Sequence, residues 1–121
     1  MTEISKSKKQ DLGERTFQFA KQVNKYCKKM PHTLSNAEYV KQVIRSSGSV
    51  GANYIEANES FSKKDFVLRV KICRKEAKES AYWLRLLIET NEQQFENEGN
   101  TLINEANELK KIFSSIVDKS V

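Results

Sequence analysis

Apolar residues recur at three- and four-residue intervals through four long stretches of this chain, the spacing that lines one face of a helix. In the first stretch Leu12, Thr16, Phe19, Ala20, Val23, Cys27 and Met30 predict a helix from about Asp11 to Lys29, stopped by Pro31. Residues 31–34 read as a loop. Ser35 followed by Glu38 has the form of a capping box that opens a second helix. Its stripe is Val40, Val43, Ile44, Ser47, Val50, Gly51, Tyr54 and Ile55. Small residues crowd its middle: Ser46, Ser47, Gly48, Ser49, Gly51 and Ala52. A glycine inside a helix costs about 1 kcal/mol relative to alanine. The pattern favours a continuous helix approached closely by a neighbour over a break near Gly48 to Gly51. Ser62 with Asp65 caps a third helix, with Phe61 and Phe66 spaced as a hydrophobic staple. This helix runs to about Thr90. A polar loop, Asn91 to Asn100, leads to a fourth helix over about Thr101 to Asp118, with Leu102, Ala106, Leu109, Phe113, Ile116 and Val117 as its stripe.

Long helices joined by short loops must lie beside their sequence neighbours. The expected fold is therefore all-α, an antiparallel up-down four-helix bundle over residues 11–121. The polar, lysine-rich residues 1–10 are expected to form a flexible arm. One core should hold Val43, Ile44, Ile55, Phe66, Val70, Cys73, Leu84, Leu109 and Phe113 together.

The third helix carries three faces when its residues are placed at about 100° per step. Phe66, Val70, Cys73, Ala77, Ser80, Ala81, Leu84 and Ile88 make the core face. Leu68, Ile72, Glu76, Glu79, Trp83 and Leu86 make a second stripe well away from it. Such a stripe either joins a wide face packed on two neighbours or marks an association surface, where tryptophan is a favoured anchor. The third face gathers Lys64, Lys71, Arg74, Lys75, Lys78 and Arg85 around Tyr82. It is either a solvated surface or a track for a phosphate backbone. Lys71, Arg74, Lys75, Lys78 and Arg85 are the candidate nucleic-acid contacts, with Arg45 of the second helix as an addition.

Composition sharpens this in one direction. Lys and Arg number 21 against 16 Asp and Glu, a net charge of +5 that biases the chain toward anionic partners. The charges are mixed in sign along the chain, as on solvated helix faces. Cys27 and Cys73 both fall on core stripes, so reduced buried thiols in a reducing compartment are expected, with a disulfide as the alternative. The N-terminal stretch lacks the apolar segment of a secretory signal. No apolar run approaches the ~20 residues of a membrane span. A cytoplasmic protein with no membrane contact is the expectation.

Catalytic constellations are missing. The single histidine, His32, lies beside Pro31 in a loop and has no Glu at metal-carboxylate spacing. Neither cysteine has ligand-spaced partners, and no glycine-rich phosphate loop occurs. The expectation is a protein that is not an enzyme and has no metal and no cofactor.

Three segments have a recognisable form: Arg45-Ser-Ser-Gly-Ser-Val-Gly-Ala-Asn-Tyr-Ile-Glu-Ala57, Ser62-Lys-Lys-Asp-Phe66, and Lys75-Glu-Ala-Lys-Glu-Ser-Ala-Tyr-Trp-Leu84. Together they resemble the bacterial four-helix bundle family whose members include proteins encoded in intervening sequences of 23S rRNA genes. The accessory protein of diversity-generating retroelements looks like a relative. The resemblance implies an up-down bundle assembled as a homopentamer, with a basic surface for RNA or DNA. In the retroelement relative it implies a reverse transcriptase-like partner. Gly51 stands where many members carry proline. Asn53, Glu56, Glu79 and Trp83 carry the most specific part of the resemblance. Arg45, Ser49, Ala52 and Glu56 share a face opposite the core stripe, which suits a structural or interfacial role.

The expected association surface is Leu68, Ile72, Glu79, Trp83 and Leu86 with Asn53 and Glu56. Two functions from different classes remain open at this point. One is a homo-oligomeric nucleic-acid-binding accessory of a ribonucleoprotein or mobile element. The other is a scaffold that docks a partner enzyme without touching nucleic acid.

Overall fold

The computed structural model describes residues 2–120, with side chains from Leu12 onward. Four helices span most of that length: α1 (Thr2–Lys28), α2 (Leu34–Asn58), α3 (Lys63–Glu89) and α4 (Glu96–Ser120). A single 3-10 turn, Gln93–Phe95, precedes α4, and there is no strand among the described residues. The fold is an all-α four-helix bundle. The backbone of α1 starts at Thr2 rather than near Asp11, and the side chains of residues 1–11, which include the segment expected as a flexible arm, lie outside the described set.

The core draws on every helix. Leu12, Phe19, Val23, Tyr26, Cys27 and Met30 come from α1, with Val43, Val50, Tyr54 and Ala57 from α2. Val70, Cys73, Ala77, Leu84 and Leu87 come from α3, and Leu102, Ala106, Leu109, Phe113 and Val117 from α4. Phe66 is partly buried against this cluster. Both cysteines are free and buried.

Two expected core residues are not there: Ile44 is 42% exposed and Ile55 is 64% exposed. The buried stripe of α2 is Val43, Ser46, Ser47, Val50, Tyr54 and Ala57, with Asn36 at its start. Ile44 and Ile55 each sit one residue, about 100°, round from that stripe. The reason lies in α3. Ser46 packs there as a hydroxyl pair, Ser46 Oγ to Ser80 Oγ at 2.8 Å. Two small buried side chains bring α2 and α3 together and rotate α2 so that the isoleucines face outward.

The small residues of α2 do not interrupt it, as expected. The close approach holds for only one of its glycines. A Cβ on Gly51 would lie 3.1 Å from Thr16 Oγ1 of α1, whereas one on Gly48 would meet nothing within 4 Å.

The helix boundaries bring three further corrections. Thr33, not Ser35, caps α2, its side chain accepting from the Asn36 N–H. The chain leaves Pro31 in a tighter turn than the sequence suggested, with Leu34 already helical. Ser62 does cap α3, accepting from the Asp65 N–H. Its expected staple does not form, because Phe61 is fully exposed. Finally, α4 starts at Glu96 rather than Thr101 and passes through Gly99. Gly99 is buried where a Cβ would fall 2.5 Å from Ile88 Cγ1 and 2.6 Å from Tyr26 Oη. Glycine lets α4 cross α1 and α3 there, and the Tyr26 hydroxyl donates to the Phe95 carbonyl at 3.0 Å beside it.

One end of the bundle is tied by side-chain amides. Asn36 and Asn91 exchange hydrogen bonds at 2.9 and 2.8 Å, and each also donates to a backbone carbonyl, of Pro31 and Leu87 respectively. On the long side, Arg15 forks onto Glu105 with bonds of 2.7 and 2.8 Å. That pair spans an open groove of about 370 Å³ between α1 and α4.

Candidate nucleic-acid interface and association surface

The buried residues of α3 fix the direction of its other faces. With Val70, Cys73, Ala77, Ser80, Leu84 and Leu87 turned inward, the opposite side of the helix carries Lys64, Lys71, Arg74, Lys75, Lys78, Tyr82 and Arg85. Lys64, Lys71, Lys75, Lys78 and Arg85 are exposed and Arg74 is half-exposed. At 1.5 Å per residue, Lys71 to Arg85 span about 21 Å along the axis. Arg85 is paired with Glu89 one turn on, Nε to Oε2 at 2.7 Å. Lys71, Arg74, Lys75 and Lys78 have no carboxylate among the described residues within salt-bridge distance. With Lys64, which likewise has none, the face presents five cations without an ion-pair partner among the described residues.

Arg45 is differently placed. It lies at the α2–α3 seam, where Nη1 donates to Glu76 Oε2 at 2.9 Å and Nη2 donates to Glu79 Oε2. The Glu76 side chain is only 7% exposed while that of Arg45 is half exposed. The two carboxylates hold the guanidinium pKa above its ordinary value, the bond to Glu76 contributing most. A buried carboxylate needs such a partner, because an unpaired buried charge is strongly unfavourable. The sequence gives no sign of Glu76 burial beyond its place on the second stripe, since most helical glutamates face water.

Above this triad stands a row of aromatic rings. Trp83 stacks with Tyr39 of α2 at 6.2 Å between centroids and meets Tyr82 edge-on at 5.1 Å. The Trp83 indole N–H donates to Glu79 Oε2 at 3.3 Å. The second stripe is thus partly covered inside the monomer. Ile72, Glu79, Trp83 and Leu86 are half-buried, Glu76 is buried, and Leu68 remains 57% exposed. Asn53 bonds within this seam: its amide donates to the Ser49 carbonyl and hydroxyl, and its Oδ1 accepts from Arg69 at 3.1 Å. Glu56 is exposed with no ion-pair partner among the described residues.

With this geometry in hand, the chain can be set beside known proteins. Residues 8–115 match the family described as 23S rRNA-intervening sequence protein. The chain belongs to that family. No curated protein matches it. Among solved structures it is similar to a protein of unknown function from the S23 ribosomal protein family of Bacteroides thetaiotaomicron. The two are 29% identical, with a TM-score of 0.73, over 88% of this chain and 97% of the other.

Within this intervening-sequence family member, one surface escaped the sequence reading. Ile44, Ile55 and Phe17, the last 60% exposed, project from the outer side of the α1–α2 pair together with the bare Gly48. Their phase one step off the core stripe hid Ile44 and Ile55 among core positions. Among the described residues, no group of three or more His, Cys, Asp or Glu side chains is placed to hold a metal ion. No helix among them is long and apolar enough to cross a membrane.

Proposed function

We propose that this protein is a non-enzymatic, cytoplasmic, homo-oligomeric bundle that binds RNA or DNA through the basic face of α3, as an accessory to a ribonucleoprotein or mobile element. The observation that carries the reading is the set of unneutralised cations Lys71, Arg74, Lys75 and Lys78 on the side of α3 farthest from the core. Arg85 extends the same line. Arg45 contributes less, since its guanidinium is committed to Glu76 and Glu79. Membership of a family named for an rRNA intervening sequence agrees with a nucleic-acid partner.

Assembly is supported by two apolar surfaces on different sides of the bundle. One is the seam of Leu68, Ile72, Glu79, Trp83 and Leu86, bordered by Asn53 and Glu56. The other is the Phe17, Ile44 and Ile55 side. A closed ring, such as a homopentamer, joins two unlike patches head to tail, and repetition of the basic face around the axis adds avidity to weak sites.

Anisotropy with a labelled oligonucleotide tests the binding. Affinity is expected to be high at low salt and to fall steeply as salt rises, because each neutralised phosphate releases counterions. Reversing Arg74 and Lys78 to glutamate should abolish retention while helix content and oligomer size stay unchanged. Light scattering tests assembly: a clean 14.0 kDa species would overturn it, and Ile72→Glu should weaken it.

The exposed α1–α2 surface favours one second reading, a scaffold that docks a partner enzyme such as a reverse transcriptase-like protein. In that case the unmodified protein binds no oligonucleotide at low salt.

A further inference from the structure

A lone exposed aromatic is ordinary on a protein surface. Tyr82 differs in how it is held and in what surrounds it. It is 58% exposed, yet its ring meets Trp83 edge-on at 5.1 Å with an interplanar angle of 80°. Trp83 is itself fixed by its stacking on Tyr39 and by the indole bond to Glu79. Glu79 is fixed in turn by Arg45. The tyrosine thus stands at the end of a chain of ordered groups rather than on a free-swinging side chain.

Its neighbours on the same face are cations. Lys78 lies one turn before it and Arg85 one turn after, with Arg74 and Lys75 a turn further back. A duplex turns its phosphates outward and keeps its bases stacked inside, so a ring set among phosphate-binding lysines has no base to meet. A single strand can splay a base onto such a ring while its phosphates follow the cations. Aromatic platforms in positively charged tracks bind single strands in this way.

From this juxtaposition we infer that Tyr82 is a stacking platform for an unpaired base, and that the basic face of α3 takes single-stranded nucleic acid in preference to duplex. This rests on the proposed nucleic-acid function and names the form of its ligand. Stacking uses the π-face of any base, so RNA and DNA single strands should both serve, with little sequence preference.

The test uses the full chain and fluorescein-labelled oligouridylate, oligothymidylate and a mixed-sequence duplex of equal length, followed by anisotropy at low salt. Trp83, the only tryptophan, touches Tyr82, so its emission should also change when a single strand binds and not when duplex does. The expected result is tighter binding of both single strands than of duplex. Tyr82→Leu should lose about tenfold on both single strands, with unchanged duplex affinity, unchanged salt dependence and unchanged helix content. Tyr82→Phe keeps the ring and should bind as the unmodified protein does.

An equal loss on duplex and single strands, or no loss on either, would overturn the platform. So would a loss confined to RNA, which would assign the phenol to the 2′-hydroxyl instead. Binding that is salt-dependent but insensitive to Tyr82 removes this inference and leaves the proposed function standing. No binding to any of the three probes by the unmodified protein removes both.

Discussion

Gly48 and Gly99 are both helical glycines, and their surroundings demand opposite outcomes from the same substitution. Gly48 faces open space within an unbroken α2. Gly48→Ala should therefore stabilise the monomer by about 1 kcal/mol, the helix-propensity difference between the two residues. Gly99 is buried against Ile88 and the Tyr26 hydroxyl at 2.5–2.6 Å from a would-be Cβ. Gly99→Ala should destabilise by roughly 1–3 kcal/mol, as overpacking does. Urea unfolding midpoints of the two variants should move in opposite directions. Residue type alone did not separate these glycines. Gly99 read as a loop residue because polar neighbours surround it, and only the crossing of α4 over Tyr26 and Ile88 gives it a packing role.

At the scale of the helix, the start of α2 gives a direct comparison of two candidate caps. Thr33 accepts the Asn36 N–H at 3.1 Å, and Ser35 is already inside the helix. Thr33→Ala should cost about 1 kcal/mol, the usual value of a lost N-cap. Ser35→Ala should change stability by less than about 0.5 kcal/mol, as exposed substitutions do. Thermal melts of the two variants check this, and equal losses would return the cap to Ser35. Sequence spacing pointed to Ser35 because Glu38 follows at the right interval for a capping box. The deciding feature was the turn after Pro31, closed by Asn36 donating to the Pro31 carbonyl. For α3 the same signal located the cap correctly at Ser62, because Ser60, two residues earlier, turns its hydroxyl back onto the Glu56 carbonyl at the end of α2. Its basic face was also legible, because seven residues in one phase survive an error of a residue at either end.

For the whole molecule, burial of three titratable groups ties stability to alkaline pH. Desolvation pushes the Cys27 and Cys73 thiols from 9.0 up to about 12. Burial raises the Tyr26 hydroxyl from 10.0 to about 12, with help from Glu98. All three keep their protons in the folded state at a pH where the unfolded chain releases them. The unfolded state then binds fewer protons, so stability falls as pH rises. The stability these groups contribute is intact below about pH 9, the ordinary thiol value from which the shift is taken. It is lost progressively toward pH 12. Urea unfolding at pH 8, 9 and 10 should show a declining midpoint, and a flat profile would show the thiols to be accessible. Dithionitrobenzoate at pH 8 should find no reactive thiol in the folded protein and both after denaturation.

The one-dimensional pattern was enough for the number of helices, their order and the face that each of α1, α3 and α4 buries. Those properties depend on the periodicity of many residues at once, which averages over local exceptions. It also placed the cations of α3 on one face, since helical phase is a property of the chain alone. The tertiary structure decided what depends on contact between helices. The rotation of α2 was set by the Ser46–Ser80 pair and turned Ile44 and Ile55 outward. The burial of Glu76 and its claim on Arg45 arose at the same seam, and so did the ordering of Tyr82 through Trp83 and Tyr39. Each joins residues more than 30 positions apart in sequence. No local spacing rule reaches that far, because such contacts form only when two complete helices meet.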